Sequence, residues 1–311
     1  MLDAAAPQIA ALNPPGKHII DVLIEERAPK LSGTTFWPVL RPALYAILNY
    51  RKARYMADEI KPMAGYPALD FISDMLSLTV ETAGLENVPK SGPFLALCNH
   101  PTGITDGLAV YDVMRRLRPD VMFYANSDAH RVCARFDDAL IPVEWVLAKR
   151  TRERTRVTLK MTGEAMEAGR PIVIFPAGRL ARIRNEKLTD PEWLATAVSL
   201  ARRYEIPTIP IHVSGPHSFW FHTFDKFSNE LRDITLFHEL LNKKGQTYRL
   251  TFGAPIPHDA LQGEPNVATR RVKHYIERVL GADAKATFDP NGPECDWRDP
   301  ATANNFERGD R

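Results

Sequence analysis

Two short segments of this 311-residue chain hold side chains whose types and spacing suit chemistry. The first is Asn99-His100-Pro101-Thr102-Gly103-Ile104-Thr105-Asp106-Gly107, directly after the apolar run PFLALC. A histidine at a strand end, with a turn set by proline and glycine and an aspartate soon after, suits a base held by a carboxylate. The carboxylate accepts from one imidazole nitrogen, which fixes the tautomer and leaves the other nitrogen free to take a proton from a hydroxyl. Such a base contributes roughly 10² to 10⁴ in rate. His100 and Asp106 are therefore the candidate catalytic pair, and Asn99 and Gly103 are expected to line the substrate site. The second segment, PIVIFPAGRLAR at 171–182, is an apolar run that breaks at Pro176. There Gly178 permits a turn that brings Arg179 to a strand end, where a planar guanidinium grips phosphate or carboxylate through two hydrogen bonds. Gly178 and Arg179 are the further substrate-binding candidates. Backbone amides near Gly103 or Gly178 are the expected donors to an oxyanion.

The elements that must position these residues follow from apolar periodicity. PFLALCN, VMFYAN, PIVIFP, IPTIPIHV and QTYRLTFGAPI read as strands; GLAVYDVMRRL, VTLKMTGEAMEAG, PEWLATAVSLARRYE and VATRRVKHYIERVL read as helices. Asp190 is a candidate N-cap for the third of these, with Pro191 at its first position. Alternation of this kind predicts an α/β domain with a largely parallel central sheet flanked by helices, its chemistry on loops after the strand ends. Three parts are expected: a helical, membrane-surface segment over 1–84, the α/β domain over 85–283, and a loosely ordered tail over 284–311, rich in Asp, Asn, Pro and Gly.

The two chemical segments, in order and roughly 75 residues apart, resemble the glycerophospholipid acyltransferase superfamily. Its signature begins with Asn-His followed by Asp, matched by Asn99, His100 and Asp106. A later block reads Phe-Pro-Glu-Gly-Thr-Arg or close variants, and resembles Phe175-Pro176-Ala177-Gly178-Arg179-Leu180. Ile206–Ile211 and Gly253-Ala254-Pro255-Ile256 are similar to further blocks, so the likeness spans about residues 85–255. Five residues separate His100 from Asp106 where the common motif has four, a spacing similar to the divergent hemolysin-like branch with His-Pro-x-Gly-x-x-Asp-Gly. Ala177 stands in place of the usual glutamate, which weakens the assignment to lysophosphatidic acid. An arginine-bearing block that holds the acceptor corresponds to Ile141–Trp145, with Lys149, Arg150 or Arg152 beyond it.

The resemblance implies an acyltransferase that moves a fatty acyl group from acyl-CoA or acyl carrier protein to a hydroxyl of a lysophospholipid or related polar lipid. No other cofactor and no metal enter. The alternatives are an ester or thioester hydrolase, and a non-catalytic lipid-binding protein of the same fold. A serine hydrolase is disfavoured because no Gly-x-Ser-x-Gly elbow occurs. His212, His217 and His222 recur at intervals of five, which suits neither one helix face nor one strand face, so a zinc site is not read from them. Phe219, Trp220, Phe221 and Phe224 beside them are core residues or an apolar lip.

Forty Lys and Arg against 38 Asp and Glu leave a net charge of +2, with no concentrated basic patch for nucleic acid. Three widely spaced cysteines fit free thiols in a reducing compartment. The N-terminus has no signal-peptide pattern, and no apolar run is long enough to span a bilayer. Phe36, Trp37, Leu40, Leu44, Tyr45, Ile47 and Leu48 precede Arg51, Lys52 and Arg54, which is either an interfacial helix or a helix on the protein's own core. The expected place is the cytoplasm, peripheral on the inner face of the cell membrane.

Overall fold

The computed structural model describes residues 16–144, 150–184, 187–216, 223–224 and 228–295. Five helices come first: α1 (Ile19–Arg27), α2 (Pro29–Ser32), α3 (Trp37–Ile47), α4 (Tyr50–Ile60) and α5 (Gly65–Leu76). Strand β1 (Thr79–Ala83) enters the sheet, followed by β2 (Leu95–Cys98), α6 (Ile104–Leu117), β3 (Met122–Asn126), α7 (Asp128–Val132) and β4 (Leu140–Val143). Next are α8 (Arg152–Glu167), β5 (Ile172–Ile174), the short strands β6 (Arg182–Arg184) and β7 (Lys187–Thr189), α9 (Thr196–Tyr204) and β8 (Thr208–Ser214). The described chain closes with α10 (Asn229–Ile234), α11 (Leu236–Leu241), β9 (Thr247–Phe252), α12 (Pro265–His274) and a π-helical turn at Tyr275–Leu280.

The seven-stranded sheet has the order β1-β9-β8-β2-β5-β3-β4, and only the β8–β9 pair is antiparallel. β2 is buried at all four positions because helices cover both of its faces, which is why it reads as a continuous apolar run. Ala96, Cys98, Val173 and Ile211 share a core with α6 and the N-terminal helices. Leu95, Leu97, Ile172 and Ile174 share the other with α8, α9 and α12. Since β8, β2, β5, β3 and β4 run the same way, their C-terminal ends form one edge, and His100 lies on it.

Several elements differ from the sequence expectation, among them β4, β1 and α9. β4 carries Pro142 and is short, a combination that hides a strand; it sits at the edge of the sheet, where a missing N–H costs no ladder bond. β1 joins β9 from within the segment expected to be helical. Helix α9 starts at Thr196 rather than after Asp190, because the Asp190 carboxylate is drawn to other donors. In the tail, residues 284–295 are tied to α12 by bonds such as Arg270 to Glu294 (2.6 Å) and Cys295 N–H to Arg270 O (3.1 Å); 296–311 lie outside the described residues.

The helix over 37–47 divides. Trp37 is buried and Tyr45 donates to Asp21 at 2.7 Å, whereas Phe36, Val39, Leu40 and Ile47 are exposed, Val39 to 76%. Arg51, Lys52 and Arg54 on α4 are exposed as well. Among the described residues no helix is long and apolar enough to cross a membrane.

Candidate active site

Where β2 ends, Asn99 continues its pairing by side chain. Its amide nitrogen donates to Val213 O (2.9 Å) and its oxygen accepts from Val213 N–H (2.7 Å), so both ends of the amide are engaged with β8. Expected to meet substrate, Asn99 is buried and instead fixes the point at which the chain leaves the sheet.

His100 is held at three places. Its N–H donates to both carboxylate oxygens of Asp190 (3.0 and 3.1 Å), and its carbonyl accepts from Ala181 N–H (2.8 Å). Its Nδ1 meets Asp106 Oδ2 at 2.9 Å. The ring packs on Phe175 with centroids 4.7 Å apart and keeps 15% exposure. Because Asp106 also takes Thr102 N–H (2.9 Å) and Gly103 N–H (3.0 Å) on the same oxygen, it acts as acceptor throughout, and Nδ1 is the protonated nitrogen. On the neutral ring Nε2 then carries the lone pair.

The turn itself explains the spacing. Gly103 has φ +111, a region closed to other residues, and an added Cβ there would lie 3.1 Å from the Leu180 side chain. Asp106 is the third residue of α6, so its carboxylate folds back over the helix start and caps it. The same contact occupies the Gly103 N–H. The Gly178 N–H donates to Phe175 O at 2.9 Å. Neither glycine's own amide is available to an oxyanion, because in each case the tight turn uses its own donor.

A second layer lies far away in sequence. Thr102 Oγ donates to Asp106 Oδ1 at 2.5 Å and meets the Tyr248 hydroxyl at 2.8 Å. Thr102 has one hydroxyl proton, so Tyr248 is the donor to it. Burial holds the Tyr248 hydroxyl far above its ordinary pKa, which keeps that proton in place. Gly215 leaves room for the ring, since a Cβ there would come within 2.4 Å of it. Behind His100, Asp190 is buried and also receives the Trp193 indole N–H at 2.9 Å. Desolvation, with Glu277 nearby, raises its carboxyl well above the usual range, and Lys273 acts in the opposite sense. Asp190 and Tyr248 lie 90 and 146 residues from their partners, and no local pattern announces them. Thr102 lies inside the motif and was legible only as a turn residue.

Cys98 precedes this turn but is no nucleophile: burial, with Asp106 and Asp190 beside it, pushes the thiol well up. All three cysteines are free and buried. Arg179 is exposed on the loop joined to His100 through Ala181, and among the described residues it has no hydrogen-bond or ion-pair partner. Leu180 carries the loop against Gly103. Arg150 binds Glu144 O at 2.9 Å and borders an apolar cavity of about 170 Å³ between α8, α9 and the ends of β3–β5. Arg152 is exposed at the start of α8, and Lys149 lies outside the described residues. Of the three histidines, His212 is tied to Ile276 O at 2.8 Å; His217 and His222 lie outside the described residues, as do Phe219, Trp220 and Phe221. Among the described residues no cluster is placed to hold a metal.

An acyltransferase family model matches residues 79–214. Over 220 residues the chain is 25% identical to a lyso-glycine lipid O-acyltransferase of Bacteroides thetaiotaomicron, covering 69% of this chain and 79% of the relative. A protein of the same description from Phocaeicola vulgatus is 26% identical over 224 residues, covering 68% and 78%. The crystal structure of the 1-acyl-sn-glycerophosphate acyltransferase from Thermotoga maritima superposes with a TM-score of 0.44 at 14% identity, covering 85% of this chain and 96% of that one.

Proposed function

We propose, from the premise that this chain is an enzyme of the glycerophospholipid acyltransferase superfamily, that it acylates a hydroxyl of a lyso-lipid with His100 as general base and a thioester as donor. One observation carries the reading: the Nδ1–Asp106 contact at 2.9 Å, on a ring that keeps a partly open edge. Nε2 takes the proton of the acceptor hydroxyl as that oxygen attacks the thioester carbonyl. Asp106 stabilises the imidazolium that forms. The tetrahedral intermediate then expels the thiolate, which recovers the proton from His100, so no covalent acyl-enzyme is required. The positive end of α6, which begins four residues after His100, favours the developing oxyanion. Acyl-CoA and acyl carrier protein both supply such a thioester.

The acceptor class is drawn from the two relatives, whose descriptions specify O-acylation of a lyso-glycine lipid. Arg179, unpaired among the described residues beside the His100 turn, suits an anionic group on that lipid. Purified protein should esterify a lyso-lipid with a thioester donor, and His100→Ala should abolish turnover with the melting temperature kept. Turnover by the variant at the wild-type rate would remove His100 from the chemistry. Thioester hydrolysis without ester formation would point to a hydrolase.

The exposed apolar side of α3, followed by Arg51, Lys52 and Arg54, suits docking on an anionic bilayer. Replacing Phe36 and Leu40 by serine should release the protein from anionic vesicles more completely than salt does, because salt screens only the charges. Wild-type protein that fails to sediment with such vesicles would refute the docking.

A further inference from the structure

We propose that the exposed face of α8 docks an acidic acyl carrier protein, so that the donor is a protein-borne thioester; the inference rests on the acyl-transfer reading above. Arg152, Arg156 and Lys160 are spaced by four and so lie on one stripe of the helix, and all three are exposed. Arg150 extends the line and Leu159, 47% exposed, sits beside it, along an open groove of about 660 Å³. Among the described residues Arg152 and Arg156 have no ion-pair partner, and Lys160 has only a loose one, Glu164 at 3.7 Å. Helix physics works against this pattern. Cations in the first turns oppose the positive end of the macrodipole, and like charges four apart repel each other. Glu153 is the one acid in the first turn. The stripe is thus disfavoured on the isolated helix and favoured once an acidic surface lies against it.

The position fits a carrier with a flexible arm. α8 starts at the sheet edge on which His100 lies, just beyond β4, and β4 is the third neighbour of β2. At a strand spacing of about 4.8 Å that is roughly 14 Å. An extended phosphopantetheine arm has about as many chain atoms as four or five extended residues, a reach of about 15 Å. A bilayer is the competing partner for a basic stripe. However, α8 packs into the core on one face of the sheet through Met161, Ala165 and Met166, and Trp37 of α3 packs into the core on the other. A flat membrane under α3 leaves α8 turned toward water.

The test is the double variant Arg156→Glu/Lys160→Glu, on residues separate from the His100 and Arg179 machinery, with the Gln pair as a milder control. Steady-state kinetics would compare hexadecanoyl-loaded acyl carrier protein with hexadecanoyl-CoA on one lyso-lipid acceptor, and calorimetry would follow carrier binding without acceptor. The expected result is a rise of about tenfold or more in KM for the carrier-borne donor at unchanged kcat, with hexadecanoyl-CoA unaffected and added salt reproducing the effect in the wild type. An unchanged carrier KM overturns the proposal, as does an equal loss with both donors, which would make coenzyme A phosphates the ligand. Lost sedimentation with anionic vesicles at intact carrier binding overturns it in favour of lipid. If the wild type binds carrier, the variant does not, and neither donor is used, the docking surface stands and the acyl-transfer reading falls.

Discussion

The His100 turn and the Arg179 loop leave adjacent strands of one sheet, and they are held in opposite ways. In the first, the N–H, carbonyl and Nδ1 of His100 are all engaged, and Asp106, with no exposure, takes four hydrogen bonds. In the second, the guanidinium reaches solvent with no partner among the described residues. A proton-transfer group gains from being fixed before substrate arrives, since small displacements cost rate. A cation that receives a charged ligand gains from waiting in water, whose hydrogen bonds the ligand replaces.

The contrast breaks most visibly at Asp106. Asp106→Asn retains the shape but offers one acceptor oxygen to four converging donors and turns an NH₂ toward the rest. A fall in kcat of about 10² to 10⁴ is expected, with KM little changed. A kcat within about twofold of wild type would mean the rigid turn is scaffolding and no more. At Arg179 the expected effect is smaller and falls on binding. Arg179→Lys keeps the charge but loses the bidentate fork, so KM for the acceptor should rise about tenfold with KM for the donor and the melting temperature unchanged. Equal changes for both substrates would move Arg179 out of the acceptor site.

An effect on stability alone, with none expected on turnover, sharpens the meaning of a held histidine. His130 on α7 is buried, and burial lowers it to about 4 from an ordinary 6.5. Between those values the unfolded chain binds the extra proton, so this contribution to stability is full above the unfolded value. It is lost as pH falls toward 4, by up to about 3 kcal/mol. Thermal melts from pH 7 to pH 5 should show a decline that His130→Phe flattens, and an equal decline in that variant would assign the loss to other groups.

The sequence by itself determined what lies within one turn. The His100–Asp106 spacing, the glycine between them and the buried strand before them specify a carboxylate that folds back from the start of α6, because each contact spans six residues or fewer. The α/β alternation and most strands followed from apolar periodicity for the same reason. Only the tertiary structure decided which strands are neighbours, and with it everything that reaches His100 from elsewhere. Asp190 beneath its N–H, Tyr248 behind Thr102 and Val213 on Asn99 depend on β9, β8, β2 and β5 lying side by side, an order no local pattern encodes. That order set the basic stripe of α8 on the face opposite the exposed apolar side of α3, since the face that α8 covers depends on where β4 and β5 insert.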